Sequence, residues 1–124
     1  ESTRAALGGT YPAASLYMDS AWVADHKEDV QKLANAFVKT LHYIHDHSAA
    51  EIADKLPPDF YFGDKDGYVK ALDAGKGMFT ADGVMPEDGP ATVLAVLSEF
   101  SKNVKGKQID LSKTYTTEFV KNAK

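Results

Sequence analysis

Apolar residues recur at Val30, Leu33, Ala34, Phe37, Val38, Leu41 and Ile44, in steps of three and four. That spacing lays one wide apolar stripe along a helix. Asp25 is placed to cap its start, with Glu28 three residues on as in a capping box. The helix is expected to run to about residue 47, where histidines suit the negative end of the dipole. Ser48-Ala-Ala-Glu51 is a second capping box. It predicts a short helix over 49–55 that stops before Pro57-Pro58. Asp64 is placed to cap a third helix carrying Tyr68, Val69 and Leu72, which ends near Gly75 and Gly77. Asp82-Gly83 reads as a turn. Pro86 and Pro90 mark the start of a helix buried through Val93, Leu94, Val96, Leu97 and Phe100. Gly106 interrupts the chain, and a last helix is expected over 111–122 with Leu111, Tyr115, Phe119 and Val120 inward.

Ahead of these helices the pattern changes. Gly8-Gly9 is followed by Thr10-Tyr-Pro-Ala-Ala-Ser-Leu-Tyr-Met18, with aromatic, strand-type content and one proline. Pro12 cannot donate to a ladder, so this run reads as an edge or crossover strand. The expectation is thus one strand followed by about five helices. A lone strand leaves backbone groups without partners. It must pair with something outside the chain, pair across a dimer, or not be a strand.

Composition narrows the function classes. The 124 residues suffice for one domain, and 44% hydrophobic with 26% charged residues is ordinary for a folded protein. A net charge of −4 with no basic tract argues against nucleic-acid binding. Lys102, Lys105 and Lys107 form the densest basic group and read as a solvated loop. With no cysteine, a disulfide framework, a thiol nucleophile and a Cys-ligated zinc site are excluded. No apolar run approaches the roughly 20 residues of a membrane span. The chain begins at Glu1, and no signal peptide is visible.

Candidate chemistry is sparse. His42 and His45 stand three apart on the long helix, with His47 just beyond, but no third ligand is evident and the pattern H-E-x-x-H is absent. No metal site, cofactor or catalytic residue is expected. Ser15 lacks the flanking glycines of a nucleophile elbow. The carboxylates Glu87-Asp88 and Asp64/Asp66 fall at helix starts, where the dipole accounts for them. Asp82-Gly83 lacks the ligand spacing of a calcium loop. Gly8-Gly9 and Gly75-x-Gly77 do not form a phosphate cradle. Tyr11, Tyr17 and Trp22 gather near the crossover run, where aromatics can pack on helices or enclose a small ligand.

Five segments, in order, resemble the nitrate/sulfonate/taurine solute-binding proteins of ABC importers. They are Gly8-Gly-Thr-Tyr-Pro-Ala-Ala14, Tyr43-Ile-His-Asp-His-Ser48, Glu51-Ile-Ala-Asp-Lys-Leu-Pro-Pro-Asp-Phe-Tyr61, Met78-Phe-Thr-Ala-Asp-Gly-Val-Met-Pro86 and Ile109-Asp-Leu-Ser-Lys-Thr-Tyr-Thr-Thr-Glu-Phe-Val120. The resemblance implies a mainly α fragment of a type II periplasmic-binding-protein α/β fold. Residues 1–18 would be the crossover strand segment and residues 19–124 the helical C-terminal part of the first lobe. It implies a non-enzymatic component, periplasmic or otherwise extracytoplasmic, that captures a small solute and delivers it to an ABC permease. Most ligand groups would lie upstream; of this chain only Tyr11, near the returning hinge, is expected to touch the solute. The fragment alone is expected to be binding-incompetent and to self-associate through uncovered apolar surface. The alternative is a stand-alone helical protein-interaction module.

Overall fold

A computed structural model describes residues 3–124. Every regular element among them is helical. The α-helices are α1 (Thr3–Leu7), α2 (Ser20–Asp25), α3 (Lys27–Asp46), α4 (Ala49–Ala53), α5 (Lys65–Gly75), α6 (Gly89–Phe100) and α7 (Glu118–Lys121). Short 3₁₀ turns occupy Pro58–Tyr61, Lys76–Met78 and Leu111–Lys113.

The expected strand is therefore corrected. No described residue lies in a ladder, and residues 9–19 form an irregular strap. The first two residues of the expected 1–18 segment lie outside the described residues. The physical reason is local. Pro12 has no N–H, Gly8 turns the chain with φ 74°, and the Thr10 N–H goes to the Asp88 carboxylate at 2.9 Å rather than to a neighbouring strand. Among the described residues the fold is all-helical, not a strand-plus-helices fragment of an α/β protein.

The chain divides into two compact units: residues up to Lys27 with Val84–Glu118, and Glu28–Gly83 with Phe119–Lys124. In the second, α3 buries Val30, Ala34 and Val38, a row at i, i+4 and i+8. Ala49, Ile52 and Ala53 of α4 and Phe119 of α7 are also buried, and α4 packs on α5. Gln31 fastens the far end of the chain by donating to the Phe119 carbonyl at 2.8 Å. Gly83, at φ 73°, passes close to the same stripe: a Cβ there would sit 3.3 Å from Leu41 and 3.6 Å from Val38 and Val120.

Caps mark the joints of this unit. The Ser48–Glu51 box forms as expected, the Glu51 N–H donating to Ser48 Oγ and the Ser48 N–H to the Glu51 carboxylate at 2.9 Å. Asp64 caps α5 through the Gly67 N–H at 2.8 Å. Asp25 does not start α3. It ends α2, whose own cap is Asp19, accepting from the Ala21 and Trp22 N–H groups. His26 (φ −127°, ψ 36°) breaks the path between the two helices. Its ring stacks on Trp22 at 4.3 Å while Nδ1 meets the Trp22 carbonyl at 2.9 Å.

The other unit has no buried large side chain among the described residues; its buried positions are Gly9 and Gly89. α6 starts with Pro90 in its first turn, as expected. The last predicted helix does not run from 111 to 122. Asp110 captures the Ser112 N–H and holds a single 3₁₀ turn. The Thr114-Tyr-Thr-Thr117 stretch, poor in helix formers, stays irregular until Thr116 Oγ1 accepts the Glu118 N–H at α7.

Candidate functional site

Three places bring chemically distinctive side chains together, each within one unit. The first is a depression of about 260 Å³ in the unit of α3. Leu41, Ile44 and Phe79 supply its apolar lining, and His45, Lys76, Gly77 and Thr80 complete it. α3 contributes one wall through residues spaced at one helical turn. The 3₁₀ turn Lys76–Met78 and the segment after it contribute the other. The Lys76 ammonium donates to the His47 carbonyl, and the Thr80 hydroxyl oxygen accepts the Gly83 N–H at 3.2 Å. Lys76 keeps two further donors. The arrangement can seat a small apolar group beside a cation; it holds no nucleophile paired with a base.

The second place is the strap over the start of α6. The Asp88 carboxylate accepts the Thr10 N–H, and Arg4 stands at 4.0 Å from it. The Thr10 backbone bond, with help from Arg4, holds this carboxyl below its ordinary pKa. Gly9 lies so close to α6 that a Cβ would fall 2.4 Å from Thr92 Oγ1. A Cβ on Gly89 would meet the Pro12 ring at 3.1 Å. Tyr11 sits between these two close approaches and is half-buried. Tyr17 is almost wholly exposed at 93%, and Trp22 is engaged by His26, so the three aromatics do not build one enclosure. Ser15 is exposed.

The third place is the end of α3. His47 turns back to stack on Tyr43 at 3.7 Å, with Nδ1 at 2.9 Å from the Tyr43 carbonyl. His45 Nδ1 pairs with Asp46 at 3.3 Å in the open, and His42 is exposed. Among the described residues no group of three His, Asp or Glu side chains is disposed to hold a metal ion. The acidic residues at helix starts have structural occupations: Asp64 as a cap, Asp88 as the clasp on Thr10. The clasp was not visible in the pattern, because its partner lies 78 residues away. Among the described residues no helix is long and apolar enough to cross a membrane.

A comparison with protein-family models finds no match, and no curated protein matches either. A solved structure of a Bordetella bronchiseptica RB50 protein matches at TM-score 0.87 and 35% sequence identity. The match covers 97% of this chain and 38% of that one. This chain therefore spans well under half the length of its structural neighbour. The resemblance to the nitrate/sulfonate/taurine solute-binding family is corrected by these findings. No family model and no curated relative carries it, the crossover strand on which it leaned is absent among the described residues, and the neighbour is described by its organism alone.

Proposed function

We propose that this chain is a non-catalytic helical scaffold that works by packing against further protein in a longer molecule. The observation that carries this is the half-covered stripe of α3. Val30, Ala34 and Val38 are buried, yet Leu33 and Phe37, on the adjoining edge of the same apolar face, are 41% and 54% exposed. A helix face of this width is ordinarily covered throughout in a self-sufficient domain. The similar Bordetella chain, which extends far past the matched region, supports the same reading. So do the roles of the titratable groups with displaced pKa values. Glu51, Asp88 and Asp110 hold backbone N–H groups and Lys65 is paired with Asp54, all engaged in the fold rather than poised for proton transfer.

Two measurements test this. The natural reading frame that encodes this sequence is expected to encode a chain more than twice as long; a frame that stops at these residues refutes the proposal. The paired substitution Leu33→Ser with Phe37→Ser is expected to change stability by less than about 1 kcal/mol, while removing binding of an apolar dye to the isolated chain. A severe loss of stability would show instead that the stripe is the chain's own core.

For the whole protein, capture of a small solute outside the cytoplasmic membrane and hand-over to a permease is the accompanying proposal. The side chain it would draw on in this chain is Tyr11, half-buried next to the Thr10–Asp88 clasp. The isolated chain is expected to bind nitrate or taurine no tighter than about 1 mM, since one aromatic does not make a cleft. Calorimetry giving a micromolar dissociation constant would contradict that division of labour.

A further inference from the structure

Phe62 breaks a local rule without compensation inside the chain. It is the non-glycine residue with positive φ among the described residues (φ 48°, ψ 34°), and its side chain is 95% exposed. A residue with a Cβ is strained in the left-handed region, and glycine or asparagine fits better there. Burial does not account for the phenyl ring, so the fold does not explain why this position carries one. The turn that presents it is firmly held. The Tyr61 hydroxyl shares its one proton between the Ala53 carbonyl and the Leu56 carbonyl, the latter at 3.0 Å, and its ring meets Tyr68 edge-on at 5.5 Å. Phe60, 54% exposed, stands on the other side of that anchor. Around this aromatic tip are Asp59, Asp64 and Asp66, while Lys65 is occupied by Asp54.

The loop after α6 is its counterpart in charge. Phe100 is 84% exposed, and Lys102, Lys105 and Lys107 follow it with no acidic partner among the described residues. Gly106, at φ 73°, bends the loop. We propose that the aromatic, acidic tip at 60–62 of one copy of this chain docks on the aromatic, basic loop at 100–107 of a second copy. The surfaces differ, so each copy keeps one of each free and the contact is head-to-tail. The tip's charge opposes attachment to an anionic lipid surface, and like charges oppose tip-to-tip pairing. This inference does not rest on the scaffold reading, which concerns α3.

Sedimentation of the full chain at concentrations up to about 1 mM tests it. The weight-average mass is expected to rise with concentration at about 10 mM salt and to fall back toward the monomer at about 1 M, where the Debye length shrinks from about 30 Å to about 3 Å. Phe62→Gly is expected to remove association without lowering Tm, since glycine suits the backbone there. Asp59→Lys with Asp66→Lys, and separately Lys102→Glu with Lys105→Glu and Lys107→Glu, are each expected to be monomeric, and their equimolar mixture to associate. The Leu33→Ser, Phe37→Ser chain is expected to associate like the wild type. A wild type that stays monomeric at low salt, a Phe62→Gly chain that associates unchanged or melts well below the wild type, or a mixture that stays monomeric would each overturn the proposal.

Discussion

The two units are held by different forces. The unit of α3, α4 and α5 contains all the buried hydrophobic residues among those described: Val30, Ala34, Val38, Ala49, Ile52, Ala53 and Phe119. The unit of α6 buries glycines instead and relies on a carboxylate, a backbone N–H and two close backbone approaches. Apolar burial scales with area and tolerates small shifts. A clasp made of single hydrogen bonds and missing Cβ atoms depends on position and on charge. One unit should therefore fail by losing volume, the other by gaining it or by losing an ionised group.

The sharpest way to break this contrast is at Phe119. Phe119→Ala is expected to cost about 3 kcal/mol, read by chemical denaturation, because it empties the second unit's core where the chain returns. Equal stability to the wild type would show that α7 is an ornament on that unit. Next in size is Gly9→Ala, which drives a methyl into Thr92 Oγ1 and is expected to cost about 2 kcal/mol. Adding Thr92→Ala should recover part of that loss, and an additive double variant would place the strain elsewhere. Ser48→Ala removes one side of a closed capping box and is expected to cost about 1 kcal/mol, visible as earlier amide exchange over α4 alone.

The smallest effect is the pH response. Asp88 and Glu51 have folded-state pKa values below their ordinary ones, the first chiefly from the Thr10 N–H and the second chiefly from the Ser48 hydroxyl. The sign follows from linkage: their stabilisation is present above the unfolded values and disappears as pH falls through the lower folded values. Tm should therefore drop on acidification below about pH 4, and Asp88→Asn should flatten that drop in the α6 unit. An unchanged acid limb in Asp88→Asn would remove the clasp from the account.

What could be read from the chain alone follows the same division. Ser48, Asp64 and Pro90 were legible because a cap recognises partners two to four residues away. The α3 stripe was legible because its period is local. Residues 10–18 read as a strand because their aromatic content signals extension without saying what satisfies the backbone. The answer, Asp88, is 78 residues distant. Asp25 reads as the cap of α3, but Asp19 caps a short helix before it, and only the His26 backbone shows where the path breaks. The final helix failed because Asp110 and Thr116 capture N–H groups that a continuous helix would have used. Phe62 carried no signal at all, since an exposed phenylalanine and a buried one look alike in a string of letters.

The Gln31 side chain reaches across 88 residues of sequence to the Phe119 carbonyl. During synthesis the ribosome delivers α3, α4 and α5 long before that carbonyl exists. Until it emerges, the Gln31 amide lacks that acceptor and the core lacks Phe119. The unit of α3 therefore cannot close its core in the order in which it is made: Phe119, one of its buried residues, arrives only after α5 is complete.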